Sequence, residues 1–150
     1  MTRWERLLGG LLLGWGLTAL PAFAATMIEV YRDPSCGCCK AWIAYLQANG
    51  FAPVVHQETA MAAVKARLGV PDPAASCHTA VVGGYVIEGH VPVEDIRRLL
   101  ADHPRARGLA APGMPMGSPG MEMGPPQRYD VVLIEPDGST RHFATHGPAS

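Results

Sequence analysis

The stretch "MIEVYRDPSCGCCKAWIAYLQANG", residues 27–50, decides how the chain is read. Ile28 and Val30 alternate with Met27, Glu29 and Tyr31, the period of a strand. After a short turn, Arg32 to Ser35, apolar residues recur at Cys39, Trp42, Ile43 and Leu46. That spacing draws one face of a helix, and Asn49-Gly50 supplies its stop. Three cysteines, Cys36, Cys38 and Cys39, therefore sit on a strand-to-helix turn. A helix N-terminus offers unpaired N–H groups and a positive dipole end, so thiols there ionise readily and become nucleophiles or metal ligands.

Working outward, "PVVH" at 53–56 reads as a second short strand, and a strand-helix-strand unit of this length closes as a right-handed parallel crossover. Thr59 can cap a second helix, on which Met61, Val64 and Leu68 share a face and which Gly69 and Pro71 end. In "CHTAVVGGYVIEGHVP", the runs Ala80 to Val82 and Tyr85 to Ile87 flank Gly83-Gly84, a dipeptide suited to the positive φ angles of a two-residue hairpin turn. Pro92 at a first helical position, Glu94 and Asp95 in the first turn, and Val93, Ile96, Leu99 and Leu100 facing inward give a third helix that ends before Pro104.

The order is βαβαββα by about residue 103, an α/β arrangement that resembles the thioredoxin fold in its compact, glutaredoxin-like form. The cysteine turn falls where that superfamily keeps its active site. One departure stands out: in place of the proline those oxidoreductases carry before the third strand, this chain has Cys77-His78. Residues 104–128 read as a Met/Gly/Pro-rich loop carrying Met114, Met116, Met121 and Met123, and residues 129–146 as an added C-terminal β-hairpin. The expected domain plan is a signal peptide over 1–24 and a single thioredoxin-like metal-binding domain over 25–150, with its core at 26–103. The loop is expected to fold back across the cysteine turn.

The leader reading rests on Arg3 and Arg6, the apolar run Leu7 to Leu20, and the Ala22-Phe23-Ala24 cleavage pattern. The run is shorter than the roughly 20 residues a bilayer span needs, so no stable membrane insertion is expected after cleavage. Arg3 and Arg6 are not adjacent, so the signal is not of the twin-arginine type; export unfolded and metal uptake outside the cytoplasm follow. Removing Arg3, Arg6 and Glu5 leaves ten basic and twelve acidic residues. Such a balance gives no basic surface for nucleic acid.

The third cysteine chooses among chemistries. Cys36 and Cys39 have the C-x-x-C spacing of a dithiol catalyst, but a spare thiolate at Cys38 beside a reactive disulfide invites scrambling. One tetrahedral zinc is an awkward fit, because the adjacent Cys38 and Cys39 do not easily point at one ion. Export in the unfolded state argues against an iron–sulfur cluster. Copper(I) is soft, takes low coordination numbers and lets a thiolate bridge two ions, so crowded cysteines can hold several. Cys77, brought beside the turn by a thioredoxin-like fold, would complete a four-thiolate patch, with His78 next to it. Two other readings stay open: a thiol–disulfide oxidoreductase using Cys36 and Cys39, and a module stapled by structural disulfides, Cys36–Cys39 and Cys38–Cys77 among them.

Together, "YRDPSCGCCKAW", "SCHTAVVGGYVIEGHVP" and "GMPMGSPGMEM" resemble the small exported bacterial proteins grouped as a domain of unknown function, whose members include the CopG-type copper-resistance proteins. The resemblance implies a thioredoxin-like fold, a periplasmic location, a cysteine-bridged site for more than one copper(I) ion, and a role in copper resistance that extends to copper redox handling alongside other periplasmic copper-handling proteins. By motif position it carries over Cys36, Cys38, Cys39 and Cys77 as ligands, and His78 as a ligand or a supporting donor. His90 is read as a turn residue, and His56, His103, His142 and His146 as surface residues. The loop methionines are thioethers that suit copper(I), and in a Pro/Gly-rich loop they also pack as a flexible apolar lid. Trp42 and Tyr45 are assigned to helix packing.

Overall fold

The computed structural model describes residues 24–149; of the leader reading over 1–24, residues 1–23 lie outside the described residues. Strand β1 (Thr26–Arg32) leads through the cysteine turn into helix α1 (Gly37–Ala48), then β2 (Phe51–Gln57) and α2 (Met61–Leu68). A single 3-10 turn (Asp72–Ala74) precedes the hairpin of β3 (Thr79–Val82) and β4 (Tyr85–Glu88), and α3 (Val93–Asp102) follows. This is the βαβαββα order expected from the sequence. Beyond it lie β5 (Gly108–Ala110), β6 (Tyr129–Ile134) and β7 (Thr140–His146).

All seven strands form one sheet in the order β2-β1-β3-β4-β5-β6-β7. β1 and β2 are parallel, as the crossover requires, and β3 runs antiparallel to both β1 and β4. A twelve-residue helix is marginal in isolation. α1 is held by burying Trp42, Ile43 and Leu46 against Ile28, Val30, Ala80 and Ile87, together with Val93, Ile96 and Leu99 of α3. Each of these large side chains contributes about 1.5–3 kcal/mol on burial. Lys65 of α2 reaches Thr79 and Glu88, which alternate with Ala80 and Ile87 along their strands, so α2 covers the opposite face.

The structure corrects several details. Residues 104–128 are not loop throughout: Gly108–Ala110 form β5, parallel to β4 and antiparallel to β6, and so attach the added hairpin to the sheet. A Cβ at Gly108 would overlap the carbonyl of Val86, so glycine is what admits this strand. Thr59 makes no cap; α2 starts at Met61 after Ala60, with no side-chain capping bond. Pro92 flanks α3 rather than opening it, and because it brings no capping side chain, the Val93 N–H donates instead to Tyr45 Oη at 3.0 Å. Tyr45 thus ties α1 to α3.

Candidate metal centre

Cys36 occupies the N-cap position of α1, and its sulfur accepts a hydrogen bond from the Cys39 N–H at 3.3 Å, where a serine or aspartate oxygen would ordinarily serve. Arg32, buried at the end of β1, wraps the turn from below. Its Nη1 donates to the carbonyls of Asp33 at 2.9 Å, Pro34 at 3.2 Å and Cys36 at 3.4 Å. Asp33 Oδ1 in turn accepts from the Ser35 N–H at 2.8 Å. The turn is therefore fixed by the chain's own hydrogen bonds.

Cys77 enters from the residue pair just before β3. The sulfurs of Cys36, Cys38, Cys39 and Cys77 all lie within 4.8 Å of one another, so the adjacent cysteines do converge on one volume. Cys36 and Cys39 are joined as a disulfide, while Cys38 and Cys77 are free thiols. Cys38 Sγ stands 3.5 Å from Cys36 Sγ and 3.9 Å from Cys77 Sγ, and Cys77 Sγ stands 3.7 Å from Cys39 Sγ. Burial, then the nearby Cys38, push the Cys77 thiol up to about 11.

His78 is fully buried with Nδ1 3.3 Å from Cys77 Sγ, and its ring lies 4.4 Å from that of Trp42. Its Nε2 is buried with no hydrogen-bond partner among the described residues. Burial, then the neighbouring His90 and Lys65, hold its pKa well below the usual histidine range.

His90 corrects the turn-residue reading. It is fully buried, its Nε2 lies 3.2 Å from Cys77 Sγ, and its Nδ1 lies 2.8 Å from the Pro119 carbonyl. Only Nδ1–H can donate to that carbonyl, which leaves the Nε2 lone pair facing the sulfur. Cys77, His78 and His90 thus form a second group of convergent donors that shares Cys77 with the first. The signal was present in the hairpin register: Val82 pairs with Tyr85 and Thr79 with Glu88, and two pairs further along Cys77 faces His90.

Beneath Cys77 lies a buried polar network. Glu88 accepts from the Ser76 N–H at 2.6 Å, from Lys65 Nζ at 2.5 Å and from Thr79 Oγ1 at 2.6 Å. Burial raises the Glu88 pKa, and Lys65 opposes that rise. Through Ser76 the network fixes the backbone that presents Cys77 and His78.

Of residues 104–128, expected to fold back across the cysteine turn, the segment 113–121 lies over it. Gly113 bridges to Ser76, and Pro119 caps His90. Gly120 lies so close that a Cβ there would stand 2.8 Å from the Trp42 nitrogen and 3.1 Å from the Cys38 carbonyl. Met121 is buried, whereas Met114 and Met123 are exposed. The remaining histidines are elsewhere: His56 pairs with Glu29, His103 ends α3, and His142 and His146 lie on β7, with His146 Nε2 2.6 Å from Asp95 Oδ2.

Residues 74–121 match the family model described as "Protein of unknown function, DUF411". Two solved structures, both of "Copper resistance protein copG" and designated Form 2 and Form 1, are similar to the chain at 48% identity. The alignments cover 82% and 83% of this chain and 99% of each of those, with TM-scores of 0.78 and 0.77. No curated protein matches the chain.

Proposed function

The chain belongs to the DUF411 family of CopG-type proteins, and from that premise we propose that it is a periplasmic copper(I)-binding protein of copper resistance, holding its cargo in a cysteine-bridged site for more than one ion. The observation that carries the reading is the convergence of four sulfurs from two distant segments within 4.8 Å. Four unshared thiolates satisfy one or two low-coordinate ions; shared by bridging, they satisfy more. Cys36, Cys38, Cys39 and Cys77 are the ligands, and His78 supports Cys77 from the buried side.

The disulfide sets a condition on loading. Its two sulfurs ligate only after an external two-electron reductant, such as a pair of small-molecule thiols, converts it to two thiols, whose protons pass to solvent as the metal binds. The leader pattern and the C-terminal hairpin complete the domain plan: cleavage after Ala24, then one metal-binding domain over 25–150.

A second reading is favoured by the same disulfide. A C-x-x-C pair at the start of α1 is the arrangement of a thiol–disulfide oxidoreductase. Anaerobic copper(I) titration of reduced residues 25–150 against a competing chelator separates the two. More than one ion per chain is the expected result, and a single ion unaffected by Cys38→Ser or Cys77→Ser would return the function to the redox pair.

A further inference from the structure

We propose that the segment 113–121 fills the backbone strip on which an extended peptide would dock beside the Cys36–Cys39 disulfide, so that this bond takes its electrons from small-molecule thiols and not from a protein dithiol. Resting on the reading that the disulfide must open before copper(I) is loaded, this names the class of reductant that opens it.

Disulfide exchange needs a thiolate in line with the S–S bond, so access decides which sulfur is attacked. Cys39 is fully buried, whereas Cys36 is half-buried and its neighbour Gly37 is exposed. A Cβ built on Gly37 would meet no atom within 4 Å, so the approach on that side of the turn is open. Attack therefore falls on Cys36. The incoming sulfur bonds to Cys36 Sγ, the Cys36–Cys39 bond breaks, and Cys39 leaves as a thiolate that takes a proton from solvent. A second thiol then displaces Cys36 from the mixed disulfide: two small thiols become one disulfide, and the protein gains two electrons and, by way of solvent, two protons.

A protein dithiol has to dock before it reacts, and extended peptides gain their hold from main-chain hydrogen bonds to unpaired backbone. The strip beside the disulfide is residues 75–77, which lead into β3 and place Cys77 Sγ 3.7 Å from Cys39 Sγ. The chain pairs that strip with itself. The Gly113 N–H donates to the Ala75 carbonyl at 3.0 Å, Ser76 Oγ donates to the Gly113 carbonyl, and Ser76 and Gly113 form a parallel bridge. The Ser76 N–H is taken by Glu88 at 2.6 Å. Farther along, the Pro119 carbonyl holds His90, and Gly120 rests on the first turn of α1 at Cys38 and Trp42. The segment is also bonded within itself: the Met121 N–H donates to the Ser118 carbonyl at 2.8 Å, and the Gly117 N–H to the Met121 carbonyl at 2.9 Å. It is a formed strap that leaves the Gly37 side open and closes the other.

Stopped-flow reduction of the metal-free protein carrying the disulfide tests this, with released thiols counted by alkylation and mass. The two reductants are dithiothreitol and, as the protein dithiol, reduced thioredoxin. Dithiothreitol should open the bond, and thioredoxin should be at least about tenfold slower per thiolate. Two variants free the strap at different anchors. Gly113→Pro removes the N–H that Ala75 accepts and imposes a φ near about −65° where Gly113 has +71°. Gly120→Ala places a Cβ 2.8 Å from the Trp42 nitrogen. Each should raise the thioredoxin rate by more than about tenfold while changing the dithiothreitol rate by less than about threefold. Thioredoxin matching dithiothreitol on the wild type would overturn the proposal, as would a thioredoxin rate unchanged in a variant whose strap limited proteolysis shows to be lifted. Failure of both substitutions to loosen the strap, or a disulfide that dithiothreitol cannot open in the folded protein, would do so too. No copper enters these measurements, so a failure of the copper(I) titration leaves them standing and the two readings fail separately.

Discussion

The rings of Trp42 and His78 lie 4.4 Å apart, with both residues fully buried. Trp42 is anchored there by its Nε1–H, which donates to the Val91 carbonyl at 3.0 Å. The other tryptophans, Trp4 and Trp15, precede residue 25, so the chain over 25–150 carries one indole, and it touches the candidate centre. Its emission should fall in step with copper(I) added to the reduced protein and level off at the binding stoichiometry. Cys77→Ser should abolish the stepwise response. Emission indifferent to copper would show that metal binds away from Cys77 and His78.

Lys65 and Glu88 form an ion pair whose carboxylate is fully buried. Removing one partner leaves the other charge uncompensated. Lys65→Met should therefore destabilise the metal-free protein by about 3–5 kcal/mol. The double variant Lys65→Met/Glu88→Gln should recover part of that loss, since no buried charge remains. Denaturant unfolding of the single and double variants measures both effects; equal losses would mean that the pair contributes through packing alone.

How far the fold could be read in advance depended on whether a segment's burial was encoded locally. The β3–β4 hairpin announces itself through two apolar runs about Gly83-Gly84, and α1 through the spacing of Trp42, Ile43 and Leu46. β5 does not: its three residues are too few to show a period, and Leu109 is buried only because β4 and β6 close on either side. The site divides in the same way. Four cysteines and His78 were legible from residue type and order. His90 needed the hairpin register carried two pairs past the regular strands. Arg32, Lys65 and Glu88 gave no local signal, since each is explained by a partner or backbone group that only the folded chain brings near.

Gly120 has φ +85°, and a side chain there would press on the backbone of Trp42 and Cys38. Gly120→Ala should cost about 1–3 kcal/mol for the overlap and about 1–2 kcal/mol for the left-handed backbone. The outcome should be lifting of the segment rather than global unfolding, because the sheet and both packed helices do not depend on it. Limited proteolysis should then cut within residues 112–127 faster than in wild type while far-ultraviolet circular dichroism is preserved. Unchanged cutting would show that the close approach at Gly120 does not hold the segment down.

Cys38 Sγ stands 3.5 Å from Cys36 Sγ and 3.9 Å from Cys77 Sγ, within reach of a sulfur on its own turn and of the one that enters before β3. In a bridged copper(I) cluster a thiolate in that position binds more than one ion, so Cys38→Ser should lower the copper(I) stoichiometry by more than one. In a dithiol oxidoreductase it exchanges no electrons: Cys36→Ser should abolish disulfide reduction, while Cys38→Ser leaves it nearly intact. The same two variants, measured by anaerobic copper(I) titration and by reduction of a model disulfide, therefore sort the readings in opposite directions. A large copper deficit in Cys38→Ser with no reductase activity in wild type assigns the cysteines to the metal. Full copper loading of Cys38→Ser, together with activity that only Cys36→Ser removes, assigns them to disulfide exchange.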